Sequence, residues 1–87
     1  MTVEAGQEAA ALKELIQAIA EELVDHPDQV EVTEIASQNN TVIELRVAKD
    51  DIGKVIGKEG RTAQSMRTIL TAVSSKLGLR AHLDIVD

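Results

Sequence analysis

Two glycines three residues apart, Gly57 and Gly60, stand between two stretches whose apolar residues recur at helical spacing, so the chain must turn there and cannot run on as one helix. On the near side the spacing predicts a short helix, with Asp50 or Asp51 as its N-cap, Ile52, Val55 and Ile56 as its apolar face and Gly57 as its end. Beyond Gly60 the set Ala63, Met66, Ile69, Leu70, Val73 and Leu77 marks a longer helix closed by Gly78. Glycine reaches positive φ without a Cβ penalty, and its bare backbone lets another chain lie against the peptide units. Amides at the start of the following helix add a positive dipole end that attracts phosphate. The turn therefore reads as a clamp for a nucleic-acid backbone. The plainer alternative, that Gly57 and Gly60 are only helix stops, needs one glycine rather than two.

The rest of the chain supplies a scaffold for this turn. Residues 1–8 carry no pattern and are expected to form a flexible N-terminus, leaving a single domain over residues 9–87. From Ala9 to Val24 the apolar set Leu12, Leu15, Ile16, Ile19, Ala20 and Leu23 follows helical spacing, while Lys13, Glu14, Gln17, Glu21 and Glu22 face away. That helix should stop near Asp25-His26, because Pro27 disfavours helical geometry at the residue before it. Residues 30–33 alternate, and Ile43, Leu45 and Val47 alternate against Val42, Glu44 and Arg46; with the turn-rich Ser37-Gln38-Asn39-Asn40 between them, they predict an antiparallel hairpin. Ile35 falls out of phase with Val30 and Val32, which suggests a bulge or the end of the strand. Ala81, Leu83 and Ile85 alternate with His82 and Asp84 as a last strand. The order is α-β-β-α-α-β, an α+β domain in which three helices pack on one face of a three-stranded sheet. Glu31, Thr33, Glu44, Arg46, His82 and Asp84 are left on the open face.

Composition narrows what such a scaffold can do. A chain of 87 residues buries only roughly two-thirds of its surface on folding, which leaves little room for a large active site. It has no cysteine, which excludes thiol catalysis, disulfide scaffolds and Cys-ligated zinc and fits a reducing, cytoplasmic setting. No apolar run approaches the roughly 18 residues that span a bilayer, and Met1-Thr2-Val3-Glu4 does not begin like a signal peptide. Phe, Tyr and Trp are absent, which removes the stacking platforms of many single-strand binders and leaves base contact to aliphatic groups and hydrogen bonds. The net charge of −6 is unevenly spread: residues 1–45 hold one base and ten acids, whereas residues 46–80 hold eight bases and three acids. The basic residues thus flank the glycine turn, although a chance fall of charges on solvated faces gives the same pattern.

Other phosphate chemistry does not fit. Only three residues separate Gly53 from Gly57-Lys58, one too few for a nucleotide-hydrolase P-loop, and Glu59 stands where the magnesium-binding hydroxyl belongs. Ser65, Ser74 and Ser75 lie in helical pattern without a nucleophile elbow, so the chain is not expected to be an enzyme. His26 and His82 are isolated and read as structural or surface residues, so neither a metal nor a cofactor is expected. Arg67 and Lys76, further along the second helix, read as solvated charges.

The string Ile52-Gly53-Lys54-Val55-Ile56-Gly57-Lys58-Glu59-Gly60-Arg61 resembles the signature of KH domains, and the α-β-β-α-α-β order resembles their type II fold, whose sheet is mixed. The Asp-His-Pro-Asp segment, the Val-Glu-Val strand, the residues 47–53 and the Ile-Val-Asp close extend the likeness. Together they are similar to the small bacterial single-KH proteins of the KhpA family, over residues 9–87. The resemblance implies a single-stranded RNA binder, an RNA chaperone or post-transcriptional regulator working with a second KH protein, KhpB (EloR or Jag), in cell elongation and peptidoglycan homeostasis. It further implies that Gly57, Lys58, Glu59 and Gly60 hold the backbone of about four nucleotides. Ile52, Gly53, Val55 and Ile56 would line a base-facing groove, with Lys54, Arg61 and Lys49 near phosphates. Because a short helix must bury its apolar face, Ile52, Val55 and Ile56 also read as core residues. Glu59 places a negative charge in the loop and should weaken the grip. The alternative function is a protein-interaction module that dimerises with itself or a partner and binds RNA weakly or not at all.

Overall fold

The computed structural model describes residues 5–37 and 40–86. Helix α1 spans Ala5–Leu23, strand β1 Glu31–Ala36, β2 Thr41–Arg46, helix α2 Ile52–Ile56, α3 Arg61–Lys76 and β3 Ala81–Ile85; single 3-10 turns occupy Pro27–Gln29, Lys49–Asp51 and Lys58–Gly60. The sheet order is β1-β2-β3, with β1 antiparallel to β2 and β2 parallel to β3. This is the mixed three-stranded sheet with three helices that the α+β type II KH expectation describes.

Strand alternation decides which face the helices cover. Val32, Ile43, Leu45 and Leu83 point into the core with Leu12, Ile16 and Ala20 of α1, Val55 of α2, and Met66 and Leu70 of α3. On the other face Glu31, Thr33, Arg46, His82 and Asp84 are exposed and Glu44 is half-buried, with Glu31 directly opposite Arg46 in the register. Among the described residues the core is wholly aliphatic apart from one methionine. Gly78, with φ +75°, ends α3 as expected, and Leu79 N–H returns to the Ser74 carbonyl at 2.8 Å in a Schellman-type closure.

Several local expectations are corrected. Helix α1 begins at Ala5, four residues before the first residue of clear apolar periodicity, because alanine-rich sequence propagates a helix without needing a buried face; residues 1–4 lie outside the described residues. There is no bulge at Ile35: it pairs in register with Val42 and is half exposed on the open face, so its phase marks that face and not a break. Ile69 is also exposed on α3, where Ser74 is buried instead and satisfies its hydroxyl by donating to the Thr71 carbonyl at 3.0 Å. Gln38 and Asn39 of the expected turn lie outside the described residues; at its flanks the Ser37 N–H and hydroxyl both donate to the Asn40 carbonyl, at 2.8 and 3.0 Å.

Candidate nucleic-acid interface

Helix α2 is only five residues long, and Gly57 ends it by donating its N–H to the Gly53 carbonyl at 2.8 Å. Gly57 has φ +78° and ψ 171°, a conformation essentially restricted to glycine. A Cβ there would collide with Thr62, lying 2.7 Å from its Cβ and 2.9 Å from its backbone nitrogen, so the turn is pressed against the first residues of α3. Glu59 (φ 58°, ψ 24°) and Gly60 (φ 73°, ψ 13°) are both left-handed, and Gly60 N–H closes the turn on the Gly57 carbonyl at 3.1 Å. Gly60 is the N-cap of α3 and has no side chain to offer, so no side-chain cap occupies the amides of the first helical turn. Both glycines therefore have work to do, Gly57 for backbone and space, Gly60 for backbone conformation.

The side chains expected at the site separate into four groups. Lys58 and Glu59 are exposed on the turn, and Arg61, also exposed, donates from Nη2 to Glu59 Oε2 at 3.1 Å. Among the described residues Lys58 makes no ion pair. Gly53 and Ile56 are exposed on α2 and Ile52 is half-buried, so these can form an accessible surface. Val55 is fully buried, which corrects its expected place in the groove: it supports α2 from beneath.

Lys54 is engaged with the protein itself. Its Nζ lies 3.0 Å from Asp25 Oδ2 and 3.4 Å from Asp51 Oδ1. The expectation that Asp50 or Asp51 caps α2 is also corrected, since neither the turn at Lys49–Asp51 nor α2 has a side-chain cap. The fully buried Asp51 carboxylate instead accepts the N–H of Asp25 at 3.2 Å and of His26 at 3.0 Å, tying the end of α1 to the start of α2. Burial, the largest single influence, pushes the Asp51 carboxyl up; the two backbone N–H groups and the Lys54 ammonium together outweigh it and hold the group below its ordinary 3.8. Hydrogen bonds to Asp25 first and Asp51 second hold the Lys54 ammonium above its ordinary 10.5.

These directions fix a pH dependence. The Asp51 contribution to stability is complete above 3.8 and is lost as pH falls through its lower folded value; that of Lys54 is complete below 10.5 and is lost as pH rises through its higher folded value. Melting temperatures of the Asp51→Asn variant should therefore fall less steeply than those of the parent below about pH 4. An equally steep acid limb in circular-dichroism melts would refute the assignment.

Helix α3 carries a further surface away from the loop. Gln64, Arg67, Thr68 and Thr71 share one exposed stripe, and Arg67, Leu70 and Thr71 face Ala81, His82 and Leu83 of the edge strand β3 across a shallow cleft. In the sequence Arg67 and His82 stand apart as isolated residues; their meeting at one cleft depends on the α3–β3 packing.

Residues 13–85 match the family described as "KhpA/KhpB, KH domain". The chain belongs to that family. Within the KhpA/KhpB family it is 51% identical over 78 residues to the RNA-binding protein KhpA of Aquifex aeolicus, covering 90% of this chain and 99% of that one. It is 49% identical to the Halalkalibacterium halodurans protein and 43% identical to the Clostridium acetobutylicum protein, both also RNA-binding protein KhpA; these matches cover 87% and 86% of this chain and the whole of each relative. Among solved structures, Aquifex aeolicus Era Y63A bound to GDP and aluminium fluoride superposes with a TM-score of 0.63 at 18% identity, over 88% of this chain and 30% of that one. That likeness is one of fold.

Proposed function

We propose that the chain binds single-stranded RNA, with the Gly57-Lys58-Glu59-Gly60 turn holding about four nucleotides of backbone. The observation that carries this reading is the turn itself: three of its four residues have positive φ, and no side chain caps the start of α3. Lys58 supplies the charge, and Arg61 is shared between phosphate and Glu59. Bases lie on the aliphatic surface of Ile52, Gly53 and Ile56, since the chain has no Phe, Tyr or Trp to stack them. The RNA-binding relatives support this reading. On the same family ground we assign the chain a cytoplasmic role as an RNA chaperone or post-transcriptional regulator, acting with a KhpB-type partner in cell elongation and peptidoglycan homeostasis. A second reading, an interaction module that forms a homodimer, is favoured by the exposed Ile69 of α3 and Ile35 of the open sheet face.

One substitution pair separates the two. Replacing Lys58 and Glu59 together by Asp should weaken binding of a labelled single-stranded RNA at least about tenfold, the effect of roughly 1.4 kcal/mol, with circular dichroism and light-scattering mass unchanged. The parent should show a shallow salt dependence, close to −0.7 in log affinity against log salt for each phosphate neutralised. Survival of both fold and affinity would end the clamp reading; a change in mass alone would favour the interaction module.

A further inference from the structure

Helix α2 has one and a half turns, too few to hold an orientation through its own hydrogen bonds. What aims it must be tertiary, and two ties are present: the buried Val55 side chain and the carboxylate of Asp51. The second tie joins three places in the chain. Asp51 Oδ1 and Oδ2 accept the backbone N–H groups of Asp25 and His26, just past the end of α1, and Lys54 Nζ on α2 bridges Asp51 Oδ1 to Asp25 Oδ2. Lys54 stands three residues before Gly57, and its neighbour Gly53 accepts the Gly57 N–H. A shift of this node is therefore transmitted directly to the first residue of the turn.

We propose that Asp25, Asp51 and Lys54 form a positioning unit that sets the angle at which α2 presents the Gly57-to-Gly60 turn to RNA, with Lys54 serving this geometry and not a phosphate. The inference rests on the RNA-clamp reading. It makes an unusual prediction of sign. Removing a negative charge from a protein that binds a polyanion strengthens binding through the field alone. Removing it from a positioning carboxylate weakens binding, because the turn and Lys58 are no longer held where they meet the RNA backbone. A merely structural role lowers the melting temperature and leaves the affinity of the still-folded protein unchanged.

The experiment titrates full-length variants with a fluorescein-labelled, random-sequence single-stranded RNA at several salt concentrations, at a temperature where melts show each variant folded. Asp51→Asn is expected to bind about tenfold more weakly, and Asp25→Asn, at an exposed position that does not threaten folding, two- to threefold more weakly. Both should keep the parent salt slope. Lys54→Met should also weaken binding at unchanged slope while Lys54→Arg restores it. Lys58→Ala, the control for the clamp, should make the slope shallower by about 0.7. Unchanged or tighter binding by the Asp25 and Asp51 variants overturns the positioning unit, as does a shallower slope in Lys54→Met, which would make Lys54 a phosphate contact. If Asp51→Asn does not fold, the Asp25→Asn and Lys54→Met results decide alone. An unchanged slope and affinity for Lys58→Ala overturns the clamp, and with it the proposal.

Discussion

Gly57→Ala should cost the protein both its RNA affinity and a large part of its stability. Its backbone sits at φ +78° and ψ 171°, a region that costs an L-residue about 1–3 kcal/mol. The added methyl would also lie 2.9 Å from the Thr62 backbone nitrogen, which cannot rotate aside as a side chain can. The turn must open to accept it, so we expect at least about tenfold weaker RNA binding together with a loss of roughly 3 kcal/mol or more. Thr62→Ala should not rescue it, since the backbone contact and the φ remain. Gly60→Ala is the informative contrast: nothing lies within 4 Å of its Cβ position, and left-handed φ alone costs about 1–2 kcal/mol. Thermal melts and RNA titrations of the two variants would check the ranking, and equal losses would contradict it.

Leu45→Ala is expected to be strongly destabilising. Leu45 is fully buried in the central strand, paired to Val32 on one side and Ile85 on the other. Truncation of such a leucine removes transfer free energy and leaves a cavity, together about 2–5 kcal/mol. In a domain of this size each kcal/mol lowers the melting temperature by about 4–8 °C. Ile35→Ala, at a half-exposed position on the opposite face, should cost about 0.5 kcal/mol. A melting temperature within a few degrees of the parent for Leu45→Ala would mean the core is not built on β2.

The elements were legible in the sequence because their signals are local. Glycines at 57, 60 and 78 stop or start helices through their own φ, and the alternation along β2 and β3 needs only a two-residue period. The mixed pairing followed from resemblance rather than from any local pattern, since parallel β2–β3 contact is made across more than thirty residues of chain. What escaped was tertiary. Asp51 looks like a helix cap because it precedes a helix, yet its partners lie 25 and 26 residues earlier. Lys54 looks like a phosphate ligand because it sits in the signature, but two carboxylates claim it. Val55 and Ile56 are adjacent apolar residues whose opposite fates, buried and exposed, depend on how α2 leans on the core. Thr62, which fills the space beside Gly57, has no distinguishing sequence context at all.

The ring-free core of leucine, isoleucine, valine, alanine and methionine makes the folded protein nearly transparent in the near ultraviolet, where nucleobases absorb strongly. Changes in RNA absorbance on mixing would then report base unstacking directly, with almost no protein signal to subtract. A binder that grips only the backbone should leave that absorbance almost unchanged. One that also draws bases onto Ile52 and Ile56 should raise it, so an unlabelled mixture can show how far the contact extends beyond the phosphates.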